Sequence, residues 1–174
     1  MRRRRLLGLA AGASLSGCGF QPVYMPTASG NPGVAQRELA AIQVAIIPDR
    51  PGQLLRQALQ QRLDGSETGT ARRYELNVAY SIAGEGIAVQ PDSSVTRVRE
   101  IGNASWNLVA QDPGRTRLSS GYAKAVDAMN VLESQYFAGD LETETLQRRL
   151  AEALADQITL QLAAFFRKRA TASG

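Results

Sequence analysis

Apolar and polar residues alternate most cleanly between Tyr74 and Ile82, where Tyr74, Leu76, Val78, Tyr80 and Ile82 interleave with Glu75, Asn77, Ala79 and Ser81. A period of two sends each set to its own side of a strand, so this segment reads as a strand with one buried and one wet face. Upstream, the β-branched run Ile42 to Ile47 reads as a first strand, closed by Pro48-Asp49-Arg50-Pro51-Gly52. From Gln53 to Leu63 the period changes. Leu54, Leu55, Ala58, Leu59 and Leu63 form one helical stripe, with Gly65 as the stop signal. After the Tyr74 strand, Gly84 to Pro91 reads as a loop. Val95 to Gln111 reads as a long strand bent or bulged at Gly102, with Trp106 and Leu108 on one face. Asp112-Pro113-Gly114 places proline and glycine where a type II turn wants them, and a fourth strand, roughly Thr116 to Val126, returns antiparallel.

The last stripe is the longest. Leu146, Leu150, Leu154, Ile158, Leu162 and Phe166 recur every four residues, and Ala153 and Phe165 widen them into a core-facing side of a helix between Asp140 and Lys168. Asp140 is positioned to cap it, with Glu142 and Glu144 in the first turn and Arg167, Lys168 and Arg169 at the end, each set opposing the helix dipole. Residues Ser134 to Phe137 offer one extra turn ahead of Gly139. The order β-α-β-β-β-α predicts an α+β two-layer sandwich: a four-stranded mixed sheet with two helices on one face. Leu150, Leu154, Ile158 and Leu162 are expected to bury against Tyr74, Leu76, Val78 and Tyr80.

Ahead of this domain the pattern belongs to targeting. Arg2 to Arg5 and the apolar run Leu6 to Leu15 have the form of a secretory leader, too short to span a bilayer. It runs through Leu15-Ser16-Gly17 straight into Cys18, a spacing that resembles a bacterial lipobox. In proteins with that pattern the cysteine receives a diacylglycerol, becomes residue one after cleavage, and is N-acylated. The organisation is therefore a signal peptide at 1–17, a lipidated N-terminus and tether at 18–38, and one α+β domain at 39–174. Pro22, Pro26, Gly30, Pro32 and Gly33 give the tether its irregular character.

Charge and cysteine content then change the picture. The whole chain carries 20 Lys and Arg against 16 Asp and Glu, but four of the arginines lie in the leader. Sixteen basic residues then face 16 acidic ones, which removes the electrostatic case for a nucleic-acid partner. A single cysteine allows no internal disulfide, so stability must rest on burial. The chain has no histidine, which excludes histidine-based acid-base chemistry and most zinc and copper sites. Gly84-Glu85-Gly86 is no phosphate loop, and Glu142 with Glu144 at a helix start needs no catalytic explanation. The reading is a binding or assembly protein with no enzymatic role, no metal and no cofactor beyond the covalent lipid on Cys18.

The lipobox, the following Cys18-Gly19-Phe20-Gln21-Pro22-Val23-Tyr24, the strand-helix opening, the Tyr74 to Ile82 strand and the terminal Leu/Ala-rich helix together resemble the LPS-assembly lipoprotein family, LptE. The resemblance spans nearly the whole chain, and its most specific part is the motif after the cysteine. It implies a lipid-anchored outer-membrane protein facing the periplasm, which plugs the β-barrel LptD and helps deliver lipopolysaccharide to the cell surface. Gly19 fits, because aspartate after the cysteine is the usual signal for inner-membrane retention. An auxiliary lipoprotein of an ABC-type lipid transport system shares anchor, compartment and layers, and is the alternative. A periplasmic enzyme held by lipid is disfavoured by the empty catalytic inventory.

On this resemblance, candidate lipopolysaccharide contacts are Arg97, Arg99 and Lys124, since guanidinium groups suit bidentate phosphate contact. Arg115 and Arg117 could join them if the hairpin register allows. Solvated strand-end arginines are the plainer account. Asn77, Ser81 and Asn107, on the sheet face away from the helices, are the candidate barrel-facing residues. Glu75, Ala79, Asn103 and Ser105 are expected beside them.

Overall fold

Three long strands with apolar side chains at alternate positions form the platform on which the helices pack. The computed structural model describes residues 33–63, 70–89, 95–130 and 136–172. Cys18, most of the tether and Gly65 lie outside these residues. In chain order the elements are α1 (Val34–Ala40), β1 (Ile42–Val44), α2 (Arg50–Leu63), β2 (Tyr74–Val89), β3 (Val95–Ala110), β4 (Arg117–Asn130) and α3 (Tyr136–Ala172). The sheet order is β1-β2-β3-β4, with β1 parallel to β2 and both other pairs antiparallel. This is the expected α+β class and four-stranded mixed sheet, built from one crossover through α2 and two sequential strand pairings.

The core lies between sheet and helices. Tyr74, Leu76 and Val78 of β2, Ala104, Trp106 and Leu108 of β3, and Ala123 and Ala125 of β4 are buried on one face. Against them pack Leu55, Leu59 and Leu63 of α2, and Leu150, Leu154, Ile158, Leu162 and Phe166 of α3, all buried. α3 runs antiparallel along β4: Thr143 meets Met129, Arg149 meets Asp127, Gln157 meets Lys124 and Gln161 meets Tyr122. Two of these contacts treat a structural liability. An edge strand presents unpaired backbone groups that invite another strand. On β4, Gln157 Nε2 donates to the Lys124 carbonyl at 3.0 Å while its Oε1 accepts from the Lys124 N–H at 3.3 Å. Gln161 Nε2 donates to the Tyr122 carbonyl at 3.0 Å.

Several sequence expectations need correction. The expected tether is helical at its end: α1 covers Val34 to Ala40, a stretch past the last proline and glycine, and it buries Ala35 and Leu39. The sheet therefore has a third, short helix beside it. β1 ends at Val44, earlier than Ile47, because the chain turns away to bury Ile47 against Gly52 at the start of α2. Gly84 to Val89 is strand, not loop. Its glycines are paired, Gly84 with Glu100 and Gly86 with Val98, and the irregularity falls at Gly86/Ala88 and Ala88/Val89. Gly102 carries no bulge. It pairs with both Ile82 and Ala125, and its missing side chain makes room for Leu154, whose Cδ1 would stand 3.2 Å from an added Cβ.

The hairpin between β3 and β4 also departs from the type II expectation. Arg115, with φ 44°, takes the left-handed position instead of Gly114, and the register slips between Leu108 and Val109. A turn followed by one left-handed residue and a bulge is a common longer hairpin connection. Helix α3 starts at Tyr136, within the extra turn expected at Ser134 to Phe137, so Asp140 is inside the helix rather than its cap, and no acidic residue occupies the first turn. Ala153 is exposed, while Ala151 and Ala155 are the small residues turned to the core.

One part of the core is polar. Glu100 on β3 lies on the helix-facing side with Tyr80 of β2 and Asp127 of β4. The Tyr80 hydroxyl and Glu100 Oε2 are buried with no hydrogen-bond partner among the described residues. Arg149 of α3 reaches Asp127 instead, at 2.6 Å. Burial, then the nearby Glu100 charge, pushes the Tyr80 hydroxyl up to about 12. Burial, then Asp127, raises the Glu100 carboxyl above its ordinary value.

Two outcomes follow from this packing. Leu154 is fully buried, and Leu154→Ala should cost about 2 to 5 kcal/mol, read as a lower urea midpoint; an unchanged midpoint would remove α3 from the core. Glu100 has a folded-state pKa above its unfolded one, so the native state holds the proton more tightly. Its ionisation therefore opposes folding, and the penalty grows as pH rises from the ordinary carboxylate value through the raised one. Glu100→Gln should gain more stability near about pH 8 than near about pH 4. A gain equal at both pH values would show that this carboxyl is not perturbed.

Candidate partner interface on the open sheet face

With helices on one side, the other side of β2, β3 and β4 is left to solvent, and the register decides what it displays. Asn77 pairs with Asn107, Ala79 with Ser105 and Ser81 with Asn103. The next row across continues onto β4, where Asn107 pairs with Ser120, Ser105 with Tyr122 and Asn103 with Lys124. Ala79, Ser81, Ser105, Ser120, Tyr122 and Lys124 are exposed, and Asn77, Asn103 and Asn107 are half-buried. The three expected residues Asn77, Ser81 and Asn107 thus share one surface. The Tyr122 hydroxyl donates to the Asn103 side-chain oxygen, and Arg117 donates to that of Asn107 at 3.5 Å. These cross-strand bonds hold the amides in place on the sheet.

Charges sit at the two ends of this face. At one end Arg115 contacts Glu75 at 2.7 Å; that bond, followed by one from the Asn77 side chain, holds the Glu75 carboxyl below its usual range. At the other end Arg99 pairs with Glu85. Arg97 is exposed beyond it, directly across from Asn130. Lys124 lies four positions along β4 from Ala128, the partner of Arg99, a separation of about 13 Å. Arg115 and Arg117 do not join this group. Arg117 pairs with Val109, ten positions from Arg99 and about 33 Å away along the sheet.

The sequence reading missed an apolar strip on the same face. Ile101 pairs with both Ala83 and Val126, and Val126 and Tyr122 are 53% and 55% exposed, large areas for such residues. Tyr122, Lys124 and Val126 do alternate with Gly121, Ala123 and Ala125 along β4. That signal was hard to read because the buried partners are small, so hydrophobicity alone suggested the opposite face.

Cys18, the expected lipidation site, lies outside the described residues. No curated protein sequence matches the chain. Among solved structures it is similar to a lipoprotein from Caulobacter crescentus, at 20% identity and TM-score 0.63, covering 76% of this chain and 96% of that one. It is also similar to the rare lipoprotein B from Shewanella oneidensis, at 15% identity and TM-score 0.54, covering 76% and 97%. A third, lipoprotein B from Nitrosomonas europaea, has 16% identity and TM-score 0.51 over 71% of this chain and 81% of its own. At these identities the likeness is one of fold. The family model described as lipopolysaccharide-assembly, LptE, matches residues 39–162, from the end of α1 to about three turns before the end of α3. The chain belongs to the LptE family of lipopolysaccharide-assembly lipoproteins.

Proposed function

We propose that this protein is an outer-membrane lipoprotein, anchored through lipid on Cys18, whose domain seats in the lumen of an LptD-type β-barrel during lipopolysaccharide transport to the cell surface. Family membership supports the pathway. The observation that carries the docking mode is the open face of β2, β3 and β4, lined by Asn77, Ser81, Ser105 and Asn107. An obligate interface normally has an aromatic and aliphatic centre, which these residues do not provide. The lumen of a wide barrel is polar and hydrated, and water-bridged contacts to such a face are favourable there. Tyr122 and Val126 then supply a narrow apolar strip for closer contact. The role is assembly and binding: the chain has no histidine for acid-base work, and its one cysteine is the proposed lipid site.

Lipopolysaccharide phosphates would meet Arg97, the exposed cation at the end of the face away from Arg115, and Lys124, exposed midway along β4, with Arg99 already paired to Glu85. Lipid-chain attachment keeps the domain at high effective concentration near the barrel mouth, since two or more acyl chains hold where one is marginal.

Photo-crosslinkers at Asn77, Ser81 or Asn107 should capture barrel residues that line the lumen, while one at the buried Leu154 captures nothing. Capture only from the exposed α3 positions Arg148, Glu152 and Asp156 would reverse the docking face. The double variant Arg97→Glu with Lys124→Glu, which leaves the Arg99 pair intact, should weaken lipopolysaccharide binding at unchanged melting temperature. Equal binding by the folded variant would remove these two residues from the ligand.

A further inference from the structure

The mature chain is neutral in total, but its charges are not evenly placed. The chain enters the described domain at Gly33, and α1 begins there with Val34 44% exposed and Arg37 exposed. The same end holds the start of β2 and the last turns of α3. Arg73 makes an ion pair with Glu38 of α1 at 2.9 Å and lies over the Tyr74 ring, whose other neighbour is Phe166 at 5.2 Å between centroids. Val34, Arg73, Phe166, Arg169 and Ala170 surround one cleft of about 230 Å³. Arg167 and Lys168 stand beside it on α3. Arg72 precedes Arg73 and binds the Ala40 and Ile42 carbonyls. The β3-β4 hairpin is tied to this end by Gln111 N–H donating to the Arg73 carbonyl at 2.8 Å, which brings Arg115 and Arg117 to it.

Among the described residues this end carries eight basic side chains against Glu38, Glu75 and Asp112. Elsewhere among the described residues eight basic side chains face nine acidic ones, so the molecule is polarised along the strands. The C-terminal dipole of α3 offsets about half a charge at the basic end and leaves it positive.

We infer that this basic end is a docking surface for the anionic headgroup layer of the membrane to which the chain is tethered. Two observations select that occupant. Charge complementarity is one: clusters of Lys and Arg beside a membrane anchor bind anionic lipid, with each residue near the surface contributing. The other is where the chain outside the described residues leads. Fourteen residues lie between Cys18 and Gly33, a reach of about 50 Å extended and about 22 Å relaxed over the fifteen steps, and they join the domain at this end. Val34, 44% exposed, and the exposed Ala170 give the basic rim an apolar patch that suits the boundary between headgroup and acyl chain. The contact lies on the surface, since no helix among the described residues is long and apolar enough to cross a membrane. The inference rests on the Cys18 anchor only for nearness to a membrane. The polarity itself does not depend on it.

The test uses the chain from residue 18 onward with Cys18→Ser, so that lipid contributes nothing, in flotation with phosphatidylglycerol-containing vesicles and with pure phosphatidylcholine vesicles. Binding should occur on the anionic vesicles only and fall about tenfold or more on moving from low to physiological salt. Arg37→Gln, Lys168→Gln and Arg169→Gln together should reduce it about tenfold or more. Arg50→Gln, Arg148→Gln and Arg149→Gln, which remove the same charge elsewhere, should leave it within about twofold. Both triple variants are to be matched to the parent in thermal melting, and the pair Arg37→Gln with Lys168→Gln serves if the first triple melts early. Equal loss in both triples, or equal binding to both vesicle types, overturns the inference. So does binding of this end to an acidic protein segment without any vesicle binding. Release of the natural chain from membranes on Cys18→Ser tests the anchor separately.

Discussion

The arrangement of this domain depends on how one tryptophan is seated. Trp106 is 2% exposed and its indole crosses onto β4 at Gly121, where an added Cβ would stand 2.6 Å from the ring. Its Nε1–H donates to Gln161 Oε1 at 3.0 Å, and the same glutamine gives its Nε2–H to the Tyr122 carbonyl at 3.0 Å. A buried indole N–H needs an acceptor, and this one is supplied by the helix that also covers the ring. The pair therefore fixes the position of α3 along β4. Sliding the helix by one turn would leave the indole N–H unsatisfied and withdraw Gln157 and Gln161 from the strand edge they occupy.

Once α3 is fixed over β3 and β4, and α2 over the β1 side, the two faces of the sheet have different tasks. The covered face carries stability, and in a chain with one cysteine no disulfide shares that load. Its tolerance is shown by Tyr80 and Glu100, whose buried polar atoms lack partners among the described residues and oppose folding. The open face is relieved of that duty. Small and amide side chains can occupy it because nothing needs to be buried there until a partner arrives, and their cross-strand bonds order them in advance.

Periodicity made the covered face legible. The Tyr74, Leu76, Val78 alternation and the four-residue leucine repeat of α3 are buried as they read, because long, strongly periodic segments leave little choice of face. Where glycines fell, the sequence misled. Gly84, Gly86 and Gly102 look like strand breakers in isolation, yet each is paired on a neighbouring strand, and pairing across the sheet outweighs local propensity. The helix α1 was hidden by its proximity to a proline-rich stretch. The start of α3 was open between a cap at Asp140 and an extra turn at Ser134 to Phe137, and the helix does extend back to Tyr136. For the candidate site, the sequence identified which residues of β2 and β3 share the open face, but not the strip Ile101, Tyr122 and Val126. The separation of Arg115 from Arg99 was likewise not readable, since it depends on the register of two strands joined by a hairpin.

The length of the strands connects these features into one geometry. β2 has 16 residues, which span about 50 Å, comparable to the full thickness of a bilayer with its headgroups. The tether, α1 and the basic cluster lie at the first residue of this strand, and Arg97 and the β2-β3 turn lie at its last. If the first end rests at the headgroup layer of the leaflet that holds the lipid, the polar face between the ends is aligned along the depth of a membrane-spanning barrel. The exposed cations then lie at different depths: Lys124, across from Asn103, stands about 23 Å along the strands from the tethered end, and Arg97 about 43 Å. A short sheet with the same face chemistry could dock but could not reach. The pairing of β2 with β3, in register from Tyr74 to Gly86 through Gly84 and Gly102 where a loop and a bend were expected, is the physical reason the two ends of the sheet stand so far apart.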